Sequence, residues 1–222
     1  MKTVYISFYL CAFFCLNTVF AQEEFENELL FPHFKDGIVV FKDGTRFPTL
    51  LNYSLFQQEM LFQNLDGAIM AVANPHEILV VIIGNRLFFP VTDKIFYEEI
   101  QAGMGSFFVQ HKSSMLSEGK LAGYGGFSAT NSIAVRGTYH DSEAGSFEKL
   151  NLNERFQLIN SNIYYLKSVN GYKKFSSAKS LGKLFKGQES KIEKFAKEKG
   201  IDFSKTDDIT RIVEYCFSLT VK

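Results

Sequence analysis

Ile78-Leu79-Val80-Val81-Ile82-Ile83-Gly84-Asn85-Arg86-Leu87-Phe88-Phe89 is the stretch that decides the fold class. β-Branched and aromatic side chains suit a pleated, half-buried surface, and a Gly-Asn pair between two apolar runs supplies the positive φ that a tight hairpin turn needs. The same grammar recurs on both sides. Ile38-Val39-Val40-Phe41 is followed by Asp43-Gly44, and Met60-Leu61-Phe62 by Asp66-Gly67. Ile163-Tyr164-Tyr165-Leu166 is followed by Asn170-Gly171 and Tyr172. Short strands joined by such dipeptides read as an antiparallel meander. The strands alternate polar and apolar residues poorly, so several are expected to be buried on both faces, as in a small barrel-like sheet or one covered by another layer.

The cover is expected at the C-terminus. From Ser176 the apolar period lengthens: Ala178, Leu181, Leu184 and Phe185 share a face up to Gly187, and Ile192, Phe195 and Ala196 repeat the pattern up to Gly200. Ile209, Ile212, Val213 and Cys216 then follow Asp207 and Asp208, which favour a helix N-terminus. The expected class is therefore α+β: an antiparallel β domain over 37–175 packed against three short helices within 176–222. Cys216 should be buried and unreactive on the apolar face of the last helix. An outer-membrane barrel is the structural rival, but it needs longer alternating strands, and a helical tail does not belong to it.

The N-terminus reads as an export signal. Met1 and Lys2 precede the apolar run Val4–Leu16, and Val19 and Ala21 stand at the small-residue positions before a cut, so residues 1–21 are expected to leave as a signal peptide. The run is shorter than the roughly 20 apolar residues that span a bilayer. A lipoprotein signal would need a small residue before Cys11 or Cys15, where Leu10 and Phe14 stand. Residues 22–36 begin with the acidic, aperiodic Gln22-Glu23-Glu24-Phe25-Glu26-Asn27-Glu28 and are expected to be a mobile leader, with the β domain starting at Gly37. Cleavage would leave 23 basic against 24 acidic side chains, no reason to expect a nucleic-acid partner, because phosphate neutralisation needs a concentrated positive field. It would also leave Cys216 as the lone cysteine, so no intrachain disulfide supports the fold and a packed core must.

Phe41-Lys42-Asp43-Gly44-Thr45, Leu51-Asn52-Tyr53, and the ending from Lys191-Ile192-Glu193-Lys194-Phe195 through Ile201-Asp202-Phe203 to Ile212-Val213-Glu214-Tyr215 resemble an uncharacterised family of secreted Gram-negative envelope proteins. The resemblance implies export and a β domain with a helical tail. It carries no activity and no site residues.

Gly119-Lys120-Leu121-Ala122-Gly123-Tyr124-Gly125-Gly126-Phe127-Ser128-Ala129-Thr130 is the segment that most invites an enzymatic reading. A phosphate-binding P-loop wants Lys-Ser/Thr after the glycines, a dinucleotide fingerprint wants glycine where Ser128 stands, and a nucleophile elbow wants glycine where Thr130 stands. All three patterns fail, and an irregular glycine-rich loop is the expectation. The four histidines His33, His76, His111 and His140 lack the close spacing of a zinc site, so no metal or cofactor is expected. His76 reads as a turn residue, Tyr139-His140-Asp141-Ser142-Glu143 as a solvated turn, and His111 as the mark of a strand leaving the core.

A basic stretch remains. Ten lysines between 167 and 199 stand against Glu189, Glu193 and Glu198, and Lys183, Lys186, Lys191 and Lys194 are the candidate binding face for an anionic ligand, a glycan or an acidic envelope partner. An amphipathic helix needs a polar face in any case, which is the plainer account of them. Lysine dominance and the absence of Trp argue against stable membrane insertion after cleavage. The 24 Phe and 10 Tyr give an aromatic supply from which Tyr124, Tyr139, Tyr164 and Tyr165 are the candidates to present ring faces to a sugar or peptide. The expected function is a non-catalytic binding module of the periplasm or cell exterior. The alternative is a periplasmic hydrolase using Ser128 with a histidine such as His140.

Overall fold

A computed structural model describes residues 29–121, 127–128 and 154–220. The strands are β1 (Lys35–Phe41), β2 (Arg46–Tyr53), β3 (Met60–Gln63), β4 (Ile69–Ala71), β5 (Ile78–Ile83), β6 (Arg86–Pro90), β7 (Phe96–Ala102), β8 (Gly105–Gln110), β9 (Ser113–Leu121), β10 (Phe127–Ser128), β11 (Glu154–Asn160), β12 (Ile163–Ser168) and β13 (Gly171–Phe175). The helices are α1 (Ala178–Gly182), α2 (Glu189–Lys199) and α3 (Thr206–Ser218). Ten strands form one antiparallel sheet in the order β13-β12-β8-β7-β6-β5-β1-β2-β3-β4, with no further strand beside β13 or β4 among the described residues, and it is not closed into a barrel. A second sheet has the order β10-β9-β11. The α+β class holds, and of the two sheet forms expected the open one is found.

The turn dipeptides sit where the sequence put them. β5 and β6 pair through a two-residue connection, with Ile83 opposite Arg86, and Gly84 takes φ 60° while Asn85 stays at negative φ. Positive φ at the first central position alone is the type II′ hairpin, which suits the right-handed twist of the strands. Lys42–Thr45, Asn64–Ala68 and Val169–Asn170 make the other turns.

β9 and β11 carry the chain on from β8 and into β12. Gln110 lies opposite Ile163 and, three residues on, Ser113 opposite Asn160, so β8–β9 and β11–β12 keep one register across both sheets. One sheet passes to the other at 111–112 and 161–162, where the Lys112 amide donates to Asn162 Oδ1 (3.1 Å), the Ser161 amide to Lys112 O (2.9 Å) and the Ser113 amide to Leu55 O (3.0 Å). The glycine-rich stretch Gly119–Thr130 is described only at 119–121 and 127–128. Of it, Phe127 pairs with Leu121 and Ser128 with Lys120 in an antiparallel ladder. Gly123, Gly125 and Gly126, and the residues that follow Ser128 up to 153, lie outside the described residues.

Two apolar cores share one face of the large sheet. The first, under β1, β2, β5 and β6, includes Val39, Leu51, Tyr53, Val81, Phe88 and Phe96, with Tyr53 stacked on Phe88 at 6.3 Å. The second joins Phe107, Val109, Tyr164 and Phe175 to the helices through Leu181, Ile192, Ile209, Ile212, Val213 and Cys216. The α3 residues among these follow the helical spacing that the sequence carries. Cys216 is fully buried, and burial pushes its thiol up to about 12.

Three expectations need correction. The leader expected over 22–36 is partly sheet domain: Leu29 bridges Ser54, Phe31 is buried in the first core and β1 begins at Lys35. Asn52 makes this possible, because its Oδ1 accepts from the Phe31 amide (3.1 Å) while its Nδ2 donates to Phe31 O (2.8 Å). The first helix is shorter than its apolar pattern. Ser177 and Ser180 form a capping box, but the α-helix ends at Gly182, where a Cβ would meet Glu189 Cα at 3.2 Å, and Leu184 and Phe185 continue in tighter turns. Tyr164 presents no ring face: it is buried in the second core, its hydroxyl 3.1 Å from Thr206 Oγ1.

Candidate binding surface and buried charge cluster

An open apolar region lies at the β1–β4 end of the sheet. Residues directly opposite in an antiparallel ladder share a face, so the pairs Asp36–Leu50, Ile38–Pro48, Ile38–Ile82 and Leu50–Gln63 place Asp36, Ile38, Pro48, Leu50, Gln63 and Ile82 on the face opposite the first core. Together with Phe47, Phe62 and the turn residues Leu65 and Gly67 they line an open depression of about 1010 Å³. Its polar groups, Asp36, Thr49, Gln63 and Asn64, are interspersed among the apolar ones.

Exposure at this end is unusual. Of the nine large hydrophobic side chains exposed among the described residues, Phe47, Leu50, Leu65, Ile69 and Met70 all fall between residues 47 and 70. Scattered exposed hydrophobes are ordinary, but a cluster beside a concavity marks an interaction surface. Gly37 fixes the floor: a Cβ there would come within 2.6 Å of Ile82 O and of Leu51 Cδ1, so only glycine lets β1, β2 and β5 approach this closely.

The sequence-predicted residues lie elsewhere. Lys183, Lys186, Lys191 and Lys194 are all exposed, Lys183 and Lys186 around the end of α1 and Lys191 and Lys194 one turn apart on α2. Lys194 reaches Glu198 at 3.8 Å, an exposed pair of little energetic weight. Tyr165 is half-buried and stacks on Tyr97 at 4.6 Å, with its hydroxyl donating to Gln110 Oε1 (2.9 Å). Tyr124, Tyr139 and His140 lie outside the described residues, and only the backbone of Ser128 is described. His76 is an exposed residue of the short 3-10 turn Pro75–Glu77, as its sequence context implies.

One cluster escapes sequence reading. Phe96, Glu98, Ile100 and Ala102 of β7 point to the core face, so Glu98 is driven inward between the two apolar cores, opposite Phe88 on one side and Val109 on the other. Arg86 at the start of β6 donates from Nε to Glu98 Oε1 and from Nη2 to Oε2 (2.6 Å), and His111 donates from Nε2 to Oε2 (2.5 Å). Arg86 also lies over the Phe31 ring, 4.7 Å from its centroid. Burial alone would raise Glu98, but the hydrogen bonds and charges of His111 and Arg86 outweigh it and hold the carboxyl below its ordinary value. His111 directly follows the end of β8, where a strand end was expected, yet it remains buried as one arm of this cluster. The signal that finds it is Glu98 itself, a charge at a core-facing position of a strand.

Among the described residues no helix is long and apolar enough to cross a membrane, and no group of three or more His, Cys, Asp or Glu is placed to hold a metal ion. Compared with known protein families, curated proteins and solved structures, the chain matches none.

Proposed function

We propose that the chain is an exported, non-catalytic binding protein of the cell envelope, and that its ligand surface is the apolar depression at the β1–β3 end of the sheet. One observation carries the reading: an open concavity of about 1010 Å³ lined by Phe47, Pro48, Leu50, Phe62, Leu65 and Ile82, with few polar groups to orient a ligand. Concave, mainly apolar surfaces with sparse polar groups are the usual form of small-molecule and peptide sites. The depression suits an apolar or aromatic segment, whereas Lys183 and Lys186 after α1 and Lys191 and Lys194 on α2 are solvent-exposed charges.

A saturable titration with an environment-sensitive apolar dye tests this. The protein purified from an exporting host should take up the dye at a single site. The double variant Phe47→Ser, Leu50→Ser should bind it at least about tenfold more weakly, the loss of roughly 1.4 kcal/mol of apolar contact. The variant with Lys183, Lys186, Lys191 and Lys194 changed to Glu should bind it unchanged. Equal uptake by wild type and the double variant removes the depression from the account. Turnover of an ester or peptide panel that disappears in Ser128→Ala would instead install the hydrolase alternative.

A further inference from the structure

The two outer strands of the large sheet are built differently. β13 exposes Lys173 and Lys174, the charged side chains that keep an edge from pairing with another chain. β4, at the other end, is Ile69-Met70-Ala71, with every residue from Leu65 to Ala71 exposed. Residues 67–73, Gly-Ala-Ile-Met-Ala-Val-Ala, contain no charge and no proline.

The hydrogen bonds of β4 fix which groups remain available. The Val72 amide donates to Met60 O (2.8 Å) and the Asn64 amide to Ala68 O (3.0 Å), so residues 68, 70 and 72 direct their backbone groups at β3. The alternation of an antiparallel ladder then turns the N–H and C=O of Ile69 and Ala71 outward, where no described strand lies. We infer that β4 pairs with β4 of a second copy of this chain, antiparallel about a two-fold axis at Met70. In that register Ile69 exchanges both of its backbone hydrogen bonds with Ala71 of the second copy, and Ala71 with its Ile69, making four in all. The large Ile69 side chain meets the small Ala71, and Met70 meets itself in the non-hydrogen-bonded position. Charge favours self-pairing too. The nearest charged residue, Asp66, falls opposite Asn74, so the axis sets no like charges against each other.

Sedimentation of the protein purified from an exporting host, over roughly 1 to 200 µM, reads the result. Wild type should pass from monomer to dimer with rising concentration. Met70→Lys and Met70→Glu should each stay monomeric, because each sets like charges face to face, and their equimolar mixture should dimerise. Ala71→Pro should also be monomeric: its lost N–H points away from β3, so the fold is kept and circular dichroism should match wild type. Monomeric wild type throughout the range overturns the inference, as does a dimer that survives all three substitutions or a charge-swapped mixture that stays monomeric. A wild-type monomer that binds extended apolar peptides at this edge would show that the edge serves another chain, and overturns self-pairing as well.

Discussion

Replacing Glu98 by alanine should destabilise the fold by about 3–5 kcal/mol, because it strands Arg86 and the buried His111 without their shared carboxylate. Arg86 is 29% exposed and recovers some hydration, which sets the expectation toward the lower end of that range. Equilibrium urea unfolding measures it as a fall in midpoint at unchanged slope. Replacing the whole cluster by apolar residues of similar volume, Arg86→Met with Glu98→Leu and His111→Phe, should cost far less than the single change, since desolvated charges gain little over good packing. Acid provides a second reading of the same cluster. The folded Glu98 carboxyl lies below its ordinary value of 4.5, so its contribution is complete above that value and is lost as pH falls through the folded pKa. The Glu98→Gln variant should be less stable at neutral pH and should lose less stability than wild type on acidification below the ordinary carboxylate range.

Gly105→Ala should loosen the helical layer. A Cβ at Gly105 would sit 2.3 Å from Cε2 and Cζ of Phe217, near the end of α3, where that ring meets Phe185 edge-on at 5.6 Å. The ring has to leave Phe185 or the helix has to leave the sheet, and overpacking of this kind costs about 1–3 kcal/mol. Gly105→Val should cost more. Phe217→Ala removes the obstacle, so in that background Gly105→Ala should cost little, and the double-mutant cycle should show a coupling near the whole single-mutant effect. Equal costs in both backgrounds would mean that α3 does not lie on β8 as described.

Much of this architecture was legible because it is local. Gly84-Asn85, Asp43-Gly44 and Asn170-Gly171 announce their turns by backbone chemistry, and Ile209, Ile212, Val213 and Cys216 announce a helix face by spacing alone. What depends on partners far along the chain was not legible. Which strand continues the sheet beyond β8 is decided by its pairing with β12, far along the chain, which no local periodicity reveals. Phe31 looked like leader because its acceptor and donor, both on Asn52, are 21 residues away. His111 looked like an exit from the core because Glu98 and Arg86 reach it only through two strand registers. The depression was illegible for the same reason: its apolar residues belong to strands whose sequences resemble those of the core.

The proposal that the β1–β3 depression is the ligand surface is tested most directly by photo-crosslinking inside the exporting cell. A photoreactive phenylalanine analogue at Leu50 should give a discrete adduct on the recovered chain, visible by mass spectrometry whether the ligand is a peptide or a small molecule, and the same analogue at Lys186 should give none. An adduct from position 186 with none from position 50 would contradict the assignment and return the site to the lysines of the helical layer.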